Sequence, residues 1–168
     1  MMAGEKERYK KALERYAKHL QEIRNITSVI PKGTDAERTS RMVRAREDYD
    51  FFVQAYFPHL ATSRCGKFQI EAAEYIKNNP RARCVFEWAR GHAKSSHISL
   101  MIPLWLKIQE TPEPMIMVLV SKSADMARRL LSDLQAELEG NDLFLHDFGR
   151  QKTDGLWTDG EFVCADGS

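Results

Sequence analysis

The stretch Trp88-Ala89-Arg90-Gly91-His92-Ala93-Lys94-Ser95-Ser96 decides how this chain is read. Before it, Arg83-Cys84-Val85-Phe86-Glu87-Trp88 has strand length and is rich in β-formers. After it, Ile98, Met101, Ile102, Trp105 and Ile108 recur at helical steps, which predicts a helix over residues 94–109 with one apolar face. Pro103 falls inside that helix and predicts a kink or a local break, because proline lacks the N–H and crowds the preceding turn. A loop between a strand and a helix, ending in Lys-Ser, holds what a polyphosphate requires. It offers backbone N–H groups, a cation and the positive end of a helix. On this reading residues 90–96 bind nucleotide: Lys94 reaches the β- and γ-phosphates, and the Ser95 hydroxyl sits on Mg²⁺. Arg90 adds a fork of donors near the γ-phosphate. The match to G-x-x-x-x-G-K-[ST] is incomplete. Trp88 stands where the first glycine belongs and Ala93 where the second does, so only Gly91 supplies backbone freedom. Lys-Ser at a plain helix start has the same residues, and that structural reading stays open.

Outward from the loop, Met115-Ile116-Met117-Val118-Leu119-Val120 is a continuous apolar run, as expected of a strand buried on both faces. Thr111-Pro112-Glu113-Pro114 reads as the connector before it. A helix over residues 123–139 carries Met126, Leu130, Leu131, Leu134 and Leu138 on one face, and Gly140-Asn141 ends it. Strand, loop, helix, strand, helix predicts an α/β domain with a parallel sheet and a right-handed crossover from residues 83–88 to 115–120. Upstream, helices are predicted over residues 5–24, 36–56 and 68–78, with Pro58 and Asn79-Pro80 as stops. The aromatic group Tyr49, Phe51, Phe52 and Tyr56 reads as core, since large rings stabilise mainly by burial. Downstream, a strand is predicted over residues 161–165.

The 168 residues suffice for one ordinary domain. Net charge is only +1, so no overall basic field announces a nucleic-acid binder. The charge is uneven: residues 1–48 carry 12 Lys/Arg against 8 Asp/Glu. That basic front end permits phosphate contacts but reads equally as a solvated helix face. Cys65, Cys84 and Cys164 are odd in number and form no C-x-x-C pair, which argues against a disulfide framework or a zinc site and suits a reducing cytosol. No apolar run reaches the roughly 18 residues of a membrane span, and the charged N-terminus has no secretory h-region.

Arg90-Gly91-His92-Ala93-Lys94-Ser95 resembles the deviant phosphate loop of the large terminase subunit of tailed phages. So do Tyr56-Phe57-Pro58-His59 with Phe68-Gln69-Ile70-Glu71 before it, and Met117-Val118-Leu119-Val120-Ser121-Lys122-Ser123 with Ala127 and a leucine-rich helix after it. Phe148-Gly149 is similar to a pair often found just beyond. The resemblance covers about residues 45–168. It implies an incomplete α/β core of the parallel-sheet P-loop NTPase type (ASCE type) over residues 44–168, preceded by an N-terminal helical or linker region over residues 1–43. It implies a motor that uses ATP and Mg²⁺ to drive double-stranded DNA into a capsid in the cytoplasm of a bacterial host. Its implied partners are a portal protein, a small terminase subunit and further copies in a ring. By position it makes Lys94 and Arg90 catalytic, and it puts Gln69 where such motors place an adenine-reading glutamine. Taken alone, Gln69 is a polar residue on an amphipathic helix.

Hydrolysis needs an apolar strand ending in Asp-Glu, to support Mg²⁺ and to orient water. Val118-Leu119-Val120 runs into Ser121-Lys122, and Phe162-Val163-Cys164 runs into Ala165-Asp166. The chain therefore reads as truncated before that strand and before a nuclease, marginal in stability, and able to hold nucleotide without turning it over. His92 and His97, five apart, have no third metal ligand nearby in sequence. Arg128-Arg129 reads as solvated, Asp125 as a helix-dipole partner, and His146-Asp147 as too isolated for nucleophilic catalysis. Two other readings stay open: a helicase-like ATPase acting on nucleic acid, and a non-catalytic helical interaction module or prophage remnant.

Overall fold

The computed structural model describes residues 2–110 and 116–168, so the connector 111–114 and Met115 lie outside the described residues. The chain divides into two compact units. One comprises residues 1–31 with 116–168, the other residues 32–115.

The second unit is a cluster of helices. Helix α2 (Asp35–Glu47) opens on a capping box, in which the Thr34 hydroxyl accepts from the Glu37 amide at 3.3 Å and the Thr34 amide donates to Glu37 Oε2 at 2.7 Å. Such reciprocal bonds satisfy first-turn amides that a helix leaves without partners. A single helix over residues 36–56 is not what forms. Asp48 is extended, and its carboxylate accepts from the Phe51 amide at 2.9 Å, so α2 ends there and α3 (Tyr49–Tyr56) begins. Helix α4 (Lys67–Asn78) follows. Then Lys94–Ser96 (α5), a π-helical turn over His97–Met101 and α6 (Ile102–Lys107) run without interruption across residues 94–107. Pro103 accounts for the π turn. It cannot donate one turn back, and the wider turn relieves the clash of its ring. Tyr49, Phe52, Tyr56, Phe57, Ala73, Met101, Leu104 and Trp105 are buried and form this unit's core. Tyr49 and Trp105 meet edge to face with centroids 5.0 Å apart.

The first unit packs α1 (Met2–Thr27) along α7 (Ala124–Gly140), with α8 (Asp142–Phe148) beside them. Ile23, Leu134, Leu138, Leu143 and Phe144 are buried. Gly140 lets α1 come close: a Cβ there would lie 2.7 Å from Leu20 Cδ1 and 3.3 Å from the Leu20 carbonyl oxygen. Thr27 ties the helix ends together, its hydroxyl donating to the Ile23 carbonyl at 2.8 Å and accepting from the Asp142 amide at 3.0 Å. Strands β1 (Lys152–Thr158) and β2 (Glu161–Cys164) form an antiparallel hairpin around Asp159-Gly160. Gly160 takes φ of 108°, which such tight turns demand.

The α/β expectation is overturned. Among the described residues the fold is mostly helical, the sheet is two-stranded and antiparallel, and there is no parallel-sheet P-loop NTPase core. Residues 83–88 and 116–120 are not strands, so no right-handed crossover joins them. The physical reason is pairing. Strand preference expresses packing on a ladder rather than a property of the isolated backbone, and no ladder forms at these segments. Val85, Ile116, Val118 and Val120 are all exposed, where a strand of a parallel sheet would be covered on both faces. Strand pairing occurs where a two-residue turn makes it local. No helix among the described residues is long and apolar enough to cross a membrane.

Candidate phosphate-binding site

Trp88 anchors the entry to the loop. Its ring meets Phe68 edge to face at 5.1 Å and His97 at 6.0 Å. A side chain that packs this way explains why the position is not the glycine that a standard phosphate loop carries. The backbone then turns twice through the left-handed region, at Gly91 (φ 89°) and at Ala93 (φ 52°, ψ 29°), before Lys94 starts the helix. A Cβ built on Gly91 meets nothing within 4 Å, so the glycine is set there by its backbone angle and not by close packing. The His92 amide donates to the Ala89 carbonyl at 3.3 Å, which closes the turn ahead of the helix. Ala93 is the N-cap residue and has no side-chain atom to accept from the first turn. The amides of residues 94–96 therefore have neither a helical acceptor nor a capping side chain.

Ala93 is the one described non-glycine residue with positive φ, a conformation costing an alanine roughly 1–2 kcal/mol. Ala93→Gly should stabilise the chain by about 1 kcal/mol, part of the relief being offset by the freer unfolded backbone. Thermal unfolding reads this, and an unchanged or lowered midpoint would mean the turn is not strained.

The site residues read from sequence fall together around this turn. Arg90, Gly91, His92, Ala93, Lys94 and Ser95 are exposed, and Ser96 is half-buried. Gln69 comes to them from the start of α4. It is buried, its Oε1 accepts from the Gly66 amide at 2.7 Å, and its Nε2 donates to the His92 carbonyl at 3.0 Å. Gln69 thus ties the first turn of α4 to the loop. The loop before α4 is itself held on α3. Buried Asp50 accepts from the Cys65 amide at 2.7 Å and pairs with Arg64 Nε at 2.6 Å. Burial, reinforced by Asp50, pushes the Cys65 thiol up to about 12, which leaves it unreactive as a nucleophile.

Sequence reasoning missed the support beneath the loop. His97, weighed only as a metal ligand, is buried, and its Nδ1 shares a 2.7 Å hydrogen bond with the Tyr49 hydroxyl. Burial pushes the imidazole down to about 4 and the Tyr49 phenol upward, so both are neutral near pH 7. The signal was present in the helical spacing, because His97 lies four residues before Met101 on the buried face. Phe68, partly exposed beside His92 with ring centroids 5.3 Å apart, also escaped notice. Among the described residues no group of three His, Cys, Asp or Glu side chains is placed to hold a metal ion. Ser95, whose hydroxyl the sequence reading set on Mg²⁺, is exposed in the first turn after Ala93. Compared with protein-family models, curated proteins and solved structures, the chain matches none, so the reading of this site rests on its own residues.

Proposed function

We propose that this chain is a nucleotide-holding segment of an ATP-driven motor that packages viral double-stranded DNA, akin to a terminase large subunit. The reading assigns nothing to a sheet. One observation carries it: a turn with positive φ at Gly91 and Ala93 leads into a helix start that has no side-chain cap and where Lys94 and Ser95 are exposed. The phosphates of ATP sit against these amides in this account, with Lys94 at the β- and γ-phosphates and Arg90 beside the γ-phosphate. Bound magnesium neutralises phosphate charge and takes the Ser95 hydroxyl as a ligand. Double-stranded DNA, a portal protein, a small terminase subunit and a ring of copies belong to the proposal through the order and spacing of the resembling segments.

The helical fold with its single hairpin favours a second reading, a non-catalytic interaction module in which Lys94-Ser95 merely starts a helix. A titration with fluorescent ATP and Mg²⁺ separates the two. Lys94 is exposed, so Lys94→Ala should leave the circular dichroism unchanged. Under the motor reading that substitution weakens binding at least tenfold, as expected for a charge-assisted contact of about 1.5–3 kcal/mol. Affinity indifferent to it supports the interaction module.

A further inference from the structure

We draw no further inference here: the strongest candidate, the apolar surface segment over residues 116–120 of the first unit, where Ile116, Val118 and Val120 are exposed, carries nothing because nothing in the structure shows what covers it.

Discussion

Replacing Trp105 with alanine should destabilise the unit formed by residues 32–115 by roughly 3–5 kcal/mol, the cost of deleting a fully buried large ring. Trp105 has no exposed surface, packs edge to face on Tyr49 and lies under the Lys77 ammonium at 4.6 Å. It also closes a helix end. Trp105 Nε1 donates to the Ala45 carbonyl at 2.8 Å, while Lys77 Nζ donates to the Arg46 carbonyl at 2.9 Å. These are last-turn carbonyls of α2, which a helix leaves without internal donors. Arg46 returns the bond, its Nε donating to the Ile108 carbonyl at 2.8 Å just beyond α6. The two helix ends therefore cap one another. Trp105→Phe keeps most of the burial and loses the N–H, so it should cost only about 1–3 kcal/mol for the unmet carbonyl. Urea unfolding followed by far-ultraviolet circular dichroism measures both. Equal losses in the two variants would mean that the hydrogen bond, and not the packing, dominates.

Acid should weaken the same unit through His97. The unfolded chain takes up this proton near the ordinary value of 6.5, the folded chain only near 4, because burial disfavours the charged ring. Between those values unfolding binds a proton, so stability falls as pH drops. The full contribution is present above pH 6.5 and is lost as pH falls toward 4. The whole shift corresponds to about 3 kcal/mol, most of it gone by pH 4.5. Tyr49, whose phenol is pushed upward by burial, stays neutral throughout this range and adds no slope. Comparing the wild type with His97→Gln in urea unfolding at pH 7 and pH 4.5 isolates the effect, since the other titrating groups contribute to both. The wild type should lose about 2–3 kcal/mol more than the variant. Parallel losses would show that His97 accepts a proton in the folded state as readily as in the unfolded one.

Helices were the legible part of this chain. The three- and four-residue steps of Leu130, Leu134 and Leu138 placed α7, and the Asn79-Pro80 pair placed the end of α4. Asp48 was readable as an N-cap and was passed over, because the aromatic pattern of residues 49–56 continued the periodicity of α2. Of the strands read from composition, the one at residues 161–165 forms as β2 and the two at residues 83–88 and 115–120 do not, as far as the described residues go. Residues 83–88 and 116–120 have strand composition, yet apolar composition does not supply hydrogen-bonding neighbours. The hairpin carried a stronger local signal, Asp-Gly between Leu156-Trp157 and Phe162-Val163, because that turn brings its own partner strand into register. At the site, Lys94, Ser95 and Gly91 were legible from residue type. Gln69 as a tether and His97 as a buried support were not, because their roles depend on long-range contacts with His92 and Tyr49.

The central claim is that the amides at the start of the helix after Ala93 receive phosphate. Amide NMR of the isotope-labelled chain, titrated with inorganic tripolyphosphate and Mg²⁺, reads those N–H groups one by one. The account predicts saturating shifts concentrated at residues 91–96, with smaller ones at Gln69. Shifts absent there, or spread evenly over the lysines and arginines of α1 and α2, would contradict it.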